Sequence, residues 1–568
     1  MYFWETLKQK ISNELKITSP IFSYPTNSEF GDLSLACFEL AKNSGKTPAL
    51  MAQELAVSVK DNSFFKKYFS EIKAVGPYLN FFLSSEFLSQ EIILDIKKNK
   101  NQYGFNQQGL NKRIMIEYSN GNTHKEYHVG HLRNISYGDA IYKLLVASGY
   151  EAIPVSYIND FGIHVAKTIW NWRQDKSYEK RLENKGYLLG LCYAAASQKL
   201  IASPEEKTVV AEIMKNIESR TGEDYKLWQA TRSLSIEYFQ NIYSELEIKF
   251  QEIFYESDEI ADGLKLVEEM KLKEILVKSE GAIIANLEDV GLGVLPVIRS
   301  DGTALYPVAD LALASKKFKK YNLEESIYVV DVRQSLYFKQ LFKILEILGY
   351  RQKLIHLPYD FVTLPSGMMS SRTGNVITYE ELKEKIFTKL MIETKNRRAD
   401  WSEARLTEVA KKLTISTIKF EMLKVSADKV ITFDIEEAAK FDGYTACYLQ
   451  YGYARLKSIT RKDGGSLLNL FKGPANLALL SEKKEKALLL KLAKYPEIIA
   501  AATHKYNPSE LTKYLFELTQ LFNDYYHEIN ILKAEGSIRR ARLELIKSLA
   551  QVLNNGFSIL GLQVLEEM

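Results

Sequence analysis

The amino-acid sequence predicts an α/β protein: a doubly wound parallel sheet with a helical insertion, an N-terminal α+β domain and a C-terminal all-α bundle. Three observations lead to this fold class. The chain of 568 residues is too long for one hydrophobic core, so about two to four domains are expected. In its middle, short apolar runs alternate with helical stretches of about ten or more residues, which is typical of parallel sheets. Before and after this region the pattern changes.

The first domain is predicted to span residues 1–105. The stretch "DLSLACFELAKNSGKTPALMAQELAVSV" places apolar residues at helical spacing, with a break between Gly45 and Pro48. The stretch "YLNFFLS" alternates like a strand. The polar segment from Lys97 to Arg113 is the candidate linker, and we place the domain boundary near residue 105.

Residues 106–395 are predicted to form the parallel-sheet domain. It opens with the buried-strand candidate "RIMIEYS", followed by the helix "HLRNISYGDAIYKLLVASG", the strand "AIPVSYI" and a helix after "NDFG". Farther on, "GAIIANL", "GVLPVIRS" and "SIYVVDV" are predicted strands, separated by helices such as "FKQLFKILEILG". The mostly charged, amphipathic region 170–276 is predicted to be a helical insertion between two halves of the sheet.

Residues 396–568 are predicted to form a helical bundle, because the strand pattern disappears there. One segment carries an apolar stripe at helical spacing, made by Leu511, Tyr514, Leu515, Leu518, Leu521, Phe522 and Tyr525.

Composition and the cysteine pattern argue against disulfide-rich, zinc-binding, secreted and membrane-spanning proteins. The formal net charge is only +4, which neither requires nor excludes a nucleic-acid partner. The cysteines Cys37, Cys192 and Cys447 lie far apart and predict neither a zinc site nor a disulfide framework. The N-terminus lacks the apolar segment of a signal peptide, and no apolar run reaches about 18 residues. We therefore expect a reduced, cytoplasmic protein with no membrane partner and no protein-bound metal site.

The stretch "SNGNTHKEYHVGHLRN" is the first functional signal. The chain has 7 histidines, yet His124, His128 and His131 stand close together just after a predicted strand. A helix that opens with His-x-Gly-His offers free N–H groups and a positive dipole end to phosphate. Gly130 would let a flat base approach the backbone. The alternative is that the histidines only cap the helix or fill the core.

This motif resembles the HIGH sequence of class I aminoacyl-tRNA synthetases, which carry a second motif, KMSKS, downstream. Here "LPSGMMSSRTGNVIT" at 364–378 takes that place and keeps Met369 and Ser370 but has no lysine. The arginyl-tRNA synthetase family characteristically has "MSTR-x-GN" there and a lysine three residues before the first HIGH histidine. Lys125 stands at that position, and Arg372 is the cation of the loop. The resemblance implies a Rossmann-like class I catalytic domain.

The resemblance also implies roles for individual residues. The catalytic set is His128, His131, Lys125, Ser370 and Arg372, with Lys125 compensating for the missing loop lysine. The ATP-binding set is His128, Gly130, His131 and Met369. The arginine-binding set is Glu117, Asn122, Tyr306, Asp310 and Gln334.

The arginine-binding set rests on three stretches. "SDGTALYPVADLALA" resembles the family segment "DGT-x-x-Y-x-x-x-D", and its Asp310 and Tyr306 suit a guanidinium, which needs a carboxylate and tolerates a ring on its face. "IEYSNGN" resembles "VEFSSPN", with Glu117 and Asn122 on the side of the α-ammonium and carboxylate. "VVDVRQSLYFKQLF" resembles "Q-x-x-H-x-x-Q" and suggests Gln334, although Tyr337 stands where relatives usually carry histidine. For Asp310 alone, a helix-capping role is the alternative.

The outer domains resemble the tRNA-binding parts of the same family. The expected tRNA contacts are Tyr78 and Asn80 at the elbow of tRNA and Tyr448, Tyr451, Arg455, Tyr526 and Met568 on the anticodon side. Aromatic rings, an amide and a cation are the groups with which proteins bind unpaired bases. Packing within the helices is the alternative for each tyrosine.

The function implied by the resemblance is that of an arginine–tRNA ligase. Arginine would be activated with Mg-ATP to arginyl-adenylate and pyrophosphate, then transferred to the 3′ end of tRNA(Arg). Relatives require tRNA for the first step, and we expect the same here. The expected partners are L-arginine, ATP and tRNA(Arg), with no tightly bound cofactor and a monomeric chain. Two alternatives are a synthetase for another amino acid and a non-catalytic tRNA-binding paralogue.

Overall fold

The computed structural model of the protein describes residues 2–365, 377–463 and 474–568. In these ranges, no helix is both long and apolar enough to cross a lipid bilayer.

The N-terminal part is an antiparallel sheet covered by helices. Within residues 2–99, all of which are described, four strands pair in the order β1-β2-β4-β3, and every neighbouring pair is antiparallel. The predicted strand "YLNFFLS" corresponds to β4. The elements are α1 (Phe3–Glu14), β1 (Ile21–Ser23), β2 (Leu33–Ala36), α2 (Phe38–Ser44), α3 (Pro48–Val59), α4 (Ser63–Tyr68), β3 (Phe69–Val75), β4 (Tyr78–Leu83) and α5 (Ser85–Asn99).

The central part is built on a parallel sheet, as predicted. Its described strands run in the order β12-β11-β5-β6-β7, and all neighbours are parallel. The chain moves to one side of β5 first and to the other side later, so a crevice opens at the carboxyl ends of β5 and β11. The strands of this part are β5 (Arg113–Glu117), β6 (Glu151–Ile158), β7 (Glu252–Tyr255), β8 (Val277–Ser279), β9 (Ala282–Asn286), β10 (Val294–Ile298), β11 (Glu325–Asp331), β12 (Lys353–Tyr359) and β13 (Val362–Thr363).

Two strand predictions need correction. "GAIIANL" and "GVLPVIRS" are strands β9 and β10, but they belong to a separate antiparallel sheet with β8. The loop between β9 and β10 covers only residues 287–293, which is too short for the crossover that parallel strands need. Conversely, β7 lies inside the span 170–276 that the sequence predicts to be helical, and it forms the edge of the parallel sheet.

Helices cover the central sheet and form the insertion. They are α6 (Val129–Ala147), α7 (Ile163–Gln174), α8 (Ser177–Lys180), α9 (Lys185–Ala202), α10 (Lys207–Glu218), α11 (Gly222–Glu245), α12 (Glu256–Leu272), α13 (Pro307–Tyr321), α14 (Ser335–Ile347) and α15 (Tyr379–Arg397). Helix α7 packs with α9, α10 and α11 around a small core of their own that includes Ile169, Ile213 and Trp228.

The C-terminal part is a helical bundle that reaches back to the N-terminal domain. The predicted stripe on α20 is buried except for Leu521, which is half-buried. Helix α5 packs on α19 and α21, and the hydroxyl of Tyr103 donates to the carbonyl of Leu492 at 3.0 Å. The elements are α16 (Glu403–Leu423), β14 (Ile431–Thr432), α17 (Ile435–Ala438), α18 (Ala446–Lys462), α19 (Lys483–His504), α20 (Ser509–Glu528) and α21 (Gly536–Leu560).

Candidate active site

A cleft above the carboxyl ends of β5, β6 and β11 gathers most of the predicted catalytic and arginine-binding residues. The predicted residues that line it are Glu117, Asn122, His128, Gly130, His131, Tyr306, Asp310 and Gln334. Lys125 is not among the described residues that line this cleft. Met369, Ser370 and Arg372 lie outside the described residues.

The two histidines at the start of α6 cap the helix and face the cleft at the same time. The Nδ1 atom of His128 accepts from the N–H of Gly130, and the Nδ1 atom of His131 accepts from the N–H of His128, both at 3.1 Å. The rings stack with their centroids 3.9 Å apart. Because each Nδ1 is an acceptor, each neutral ring carries its proton on Nε2. The two Nε2–H groups are therefore available as donors to a ligand.

Both imidazoles are held in the neutral form. Burial, together with the nearby charge of Lys125, lowers the pKa of His128 to about 4. Burial and the charges of His128 and Lys125 hold the pKa of His131 well below its usual range. At neutral pH this end of the cleft offers fixed N–H dipoles rather than two full charges, which suits charge that develops on phosphate in a transition state.

The third histidine of the cluster, His124, has a structural role. Its backbone is in the left-handed region, with φ of 61°, and its side chain is fully buried. Its Nδ1 and Nε2 atoms are 2.9 and 2.8 Å from the hydroxyl oxygens of Thr123 and Thr231, and burial lowers its pKa to about 3. His124 thus fastens the loop before α6 to α11 of the insertion.

The opposite end of the cleft is an acidic and aromatic pocket on α13 and α14. Asp310 lies in the first turn of α13 and accepts a hydrogen bond from the hydroxyl of Tyr337. The ring of Tyr306 meets the ring of Tyr337 edge-on at 4.7 Å. Burial raises the pKa of Asp310 to about 6, while the hydroxyl of Tyr337 opposes this rise. Asp310 is therefore mostly ionised at neutral pH and can accept from a guanidinium.

Glu117 has a cationic partner that the sequence did not predict. Its carboxylate forms an ion pair with the ammonium of Lys317 on α13, and its Oε1 atom accepts from Asn120 at 3.1 Å. Lys317 is only 1% exposed and lines the cleft. In the run "SKKFKK" Lys317 resembles a surface lysine. The available signal is its spacing of seven from Asp310, which puts both residues on one face of the helix.

Two further predicted residues sit at the mouth of the pocket. Asn122 forms an isolated parallel bridge with Asn159 next to the end of β6, which fixes the loop that carries it. Gln334 immediately precedes α14 and is exposed to the cleft. Both residues line the cleft and are available to a ligand there.

Lys125 contacts the insertion, and two arginines that the sequence did not predict line the cleft. The ammonium of Lys125 lies 5.2 Å from the ring centroid of Tyr193 in the insertion, and burial together with Lys167 lowers its pKa. Arg333 does line the cleft, and it makes two hydrogen bonds to Asp331, both 2.7 Å long. Arg133 also lines the cleft but is buried, and it donates to the carbonyl of Ser426 at 3.0 Å and to that of Met422.

Comparison with known proteins identifies the family. Residues 92–434 match the family described as "tRNA synthetases class I (R), catalytic domain". Residues 4–83 match "Arginyl tRNA synthetase N terminal domain", and residues 449–568 match "DALR anticodon binding domain". The chain belongs to the arginyl-tRNA synthetase family. The resemblance stated from the motifs is thereby confirmed, and so is the fold class.

Individual relatives agree over nearly the whole length. An arginine–tRNA ligase of Bdellovibrio bacteriovorus is 34% identical over 559 residues, covering 96% of this chain and 93% of the relative. One of Clostridium perfringens is 33% identical, covering 99% of each chain. The solved structure of Thermus thermophilus arginyl-tRNA synthetase superimposes with a TM-score of 0.79 at 26% identity, covering 99% of this chain and 100% of that one.

The predicted anticodon-side residues of the bundle form one cluster. The guanidinium of Arg455 lies 4.8 and 4.9 Å from the ring centroids of Tyr451 and Tyr526. The side chain of Asn523, which the sequence did not predict, accepts from Arg455 at 2.7 Å and donates to the hydroxyl of Tyr448 at 2.8 Å. Residues of α18 and α20 therefore present rings, a cation and an amide on one surface.

Met568, Tyr78 and Asn80 lie outside this cluster. The carbonyl of Met568 accepts from Arg398 at 3.1 Å, near the end of α15. Tyr78 is exposed at the start of β4. Asn80, in contrast, is only 2% exposed and accepts a hydrogen bond from Ser34 on the neighbouring strand. In this conformation Asn80 orders the sheet beside Tyr78 and does not present its amide to solvent.

Proposed function

We propose that the protein charges tRNA(Arg) with L-arginine in an ATP-dependent reaction at the cleft above β5 and β11. One observation carries this proposal. The helix-capping pair His128 and His131, suited to phosphate, faces the same cleft as the Asp310 and Tyr306 pocket, suited to a guanidinium. ATP and arginine would then lie side by side, with the arginine carboxylate next to the α-phosphate.

The amino-acid end would bind arginine by charge and shape. Asp310 accepts from the guanidinium, and the ring of Tyr306 covers its face. Glu117 and Asn122 receive the α-ammonium and carboxylate side, with Gln334 as a further contact at the mouth of the pocket. Tyr337 keeps Asp310 in position through its hydroxyl. In the family pattern "Q-x-x-H-x-x-Q", a histidine usually stands at the position of Tyr337.

The phosphate end would bind ATP. An oxygen of the arginine carboxylate attacks the α-phosphorus, and the bond to pyrophosphate breaks, giving arginyl-adenylate. The Nε2–H groups of His128 and His131 and the start of α6 stabilise the charge on the phosphate oxygens, while Gly130 lets the base approach. Lys125, Arg372, Ser370 and Met369 are proposed to complete the set of residues that acts on ATP.

The second step transfers the arginyl group. A hydroxyl of the terminal tRNA ribose attacks the carbonyl carbon of the adenylate, and AMP leaves. Tyr78 and the cluster of Tyr448, Tyr451, Arg455 and Tyr526 are proposed to hold the tRNA. The roles of Asn80 and Met568 in tRNA binding stay predictions, as do the monomeric state and the cytoplasmic location.

Mg²⁺ is proposed to arrive on the ATP phosphates, because the described residues hold no group of three or more acidic, histidine or cysteine ligands.

Arginine-dependent exchange between ATP and pyrophosphate, with and without tRNA(Arg), tests the proposal on wild type and Lys125→Ala. Exchange that requires tRNA and disappears in the variant would support the enzyme and the compensating role of Lys125. Exchange that is unchanged in the variant would support the enzyme but reassign that role, with Arg372 and Arg333 as the next candidates. No exchange with any amino acid, combined with tight tRNA binding, would instead favour a non-catalytic paralogue. Exchange with another amino acid would favour a different synthetase.

A further inference from the structure

Lys317 is the buried charge at the floor of the arginine pocket. Its ammonium is enclosed by the ring of Phe254 on β7, at 5.2 Å, and the ring of Tyr328 on β11, at 5.5 Å. It forms an ion pair with Glu117, at the end of β5. The two side chains are 1% and 4% exposed. A lysine is rarely buried to this extent unless a specific charge requires it.

The charges at this end of the cleft do not cancel. Glu117 and Asp310 contribute two negative charges, and Lys317 contributes one positive charge. Glu256, which interacts with Asp310 and accepts from Asn159, has a pKa raised by burial to about 8 and is mostly protonated at neutral pH. These side chains together therefore carry a net charge of about −1. Free arginine, with two cationic groups and one carboxylate, has the opposite net charge.

We propose that Lys317 is a positioning residue that fixes the Glu117 carboxylate and offsets its charge, so that arginine enters a pocket with one net negative charge. This inference rests on the proposed function. It explains how the net charge of the pocket complements that of arginine. Without Lys317, the carboxylates of Glu117 and Asp310 would lose the ammonium with which both interact. Like charges in one site favour protonation of one of them, and a protonated Asp310 gives a weaker bond to a guanidinium.

The first test compares Lys317→Met with Lys316→Met. Methionine has a similar length and no charge. Lys316 is the adjacent lysine, but its ammonium pairs with Glu259 on α12, at 2.5 Å, and it does not line the cleft. In aminoacylation assays, Lys317→Met is expected to raise the KM for arginine by about tenfold or more, the effect of one unit of pKa. Its KM for ATP should stay within about twofold of wild type, and Lys316→Met should leave both constants unchanged.

A second set of variants separates charge balance from packing. Lys317→Arg keeps the charge and should restore most of the arginine affinity. Glu117→Gln leaves Lys317 without its partner, so adding Lys317→Met to Glu117→Gln should not raise the KM for arginine any further. This pair of variants carries the test even if Lys317→Met alone folds poorly, because the double variant buries no unpaired charge.

Several outcomes would overturn the proposal. These are an unchanged KM for arginine in Lys317→Met, an equal rise in the KM for ATP, or a double variant in which the two effects multiply. Failure of Lys317→Arg to restore affinity would also overturn it. Wild-type charging with arginine is measured in the same series. Its absence would refute the proposed function itself, whereas a normal wild type with an insensitive Lys317→Met would refute only the role of Lys317.

Discussion

The two ends of the cleft handle charge in opposite ways. At the phosphate end, formed by His128, Gly130 and His131, the side chains are uncharged. Each histidine Nδ1 atom accepts from a backbone N–H group that is two or three residues away in the sequence. At the arginine end, formed by Glu117, Asp310 and Lys317, the groups are charged. The ion pair between Glu117 and Lys317 and the hydrogen bond from Tyr337 to Asp310 join distant parts of the chain. A transition state gains most from fixed dipoles, whereas recognition of a cationic side chain needs a net charge. The four predictions below test this difference.

Removing the imidazoles while keeping the helix start should give the largest effect. Asn is a good N-cap residue and Gln suits the third helical position of a capping box, so His128→Asn and His131→Gln should keep α6 intact. Each removes an Nε2–H donor and should lower kcat by about 10²- to 10³-fold. Single-turnover adenylate formation measures the effect, and the melting temperature is the control. A loss of stability equal to that of an alanine variant would contradict the separation of capping from catalysis.

Neutralising the arginine end should act on binding instead. Asp310→Asn keeps the shape but removes the charge of the acceptor, which is worth roughly 1.5–3 kcal/mol in a charge-assisted hydrogen bond. The KM for arginine should therefore rise about 10- to 100-fold, and the KM for ATP should not change. Tyr337→Phe is the matched control, since it removes only the hydrogen bond to Asp310. A parallel rise in the KM for ATP would show that the two ends are not independent.

The pH dependence should separate the two ends without any substitution. Asp310 is ionised above its pKa of about 6, so kcat/KM for arginine should be constant from that pH up to about pH 8, near which Glu256 ionises. Below the pKa of Asp310, kcat/KM should fall about tenfold per pH unit as the carboxyl protonates. His128, with its pKa lowered to about 4, stays neutral throughout this range. Tyr337→Phe should move the break to higher pH, because it removes a bond that stabilises the ionised form. A break that does not move would assign it to another group.

The smallest effect is expected far from the cleft. Arg455→Met removes the cation that lies between the rings of Tyr451 and Tyr526, and cation–π contacts at exposed sites are worth about 0.5–1 kcal/mol. The KM for tRNA should rise by a few fold, with no change in the KM for arginine. Arg461→Met, on the same helix but paired with Glu567 at 3.2 Å, is the control. An equal response of the two variants would indicate a general electrostatic effect.

Local sequence patterns were sufficient to predict many of the strands and helices. Strands β4, β5, β6 and β11 and helices α6 and α20 follow from periodicities that involve only nearby residues. The antiparallel sheet of β8, β9 and β10 could not be foreseen in this way, because strand direction depends on pairing and connection length. The four-residue strand β7 is too short to stand out within a helical region.

The candidate site likewise has residues that local motifs predict and contacts that they do not. The motifs identify the histidines and Asp310, because each carries its chemistry within a few residues of sequence. The ion pair of Lys317 joins residues 200 positions apart, and the hydrogen bond of Tyr337 to Asp310 joins residues 27 apart. Local sequence predicts neither contact; it shows only the seven-residue spacing that places Lys317 on the same face of α13 as Asp310. The placement of Lys125 beside Tyr193 likewise depends on how the insertion packs.

Arg133 ties the stability of the catalytic sheet to that of the bundle. It stands one turn into α6, is 1% exposed, and donates to the carbonyl of Met422 in the last turn of α16 and to that of Ser426 just past its end. If the bundle opened, a cation in the wall of the cleft would lose its acceptors and those carbonyls would lose their cap, at a cost to both parts. Local opening of either part is therefore coupled to the other. In hydrogen-exchange experiments, the amides of α6 and of the last turn of α16 should become exposed in one cooperative event.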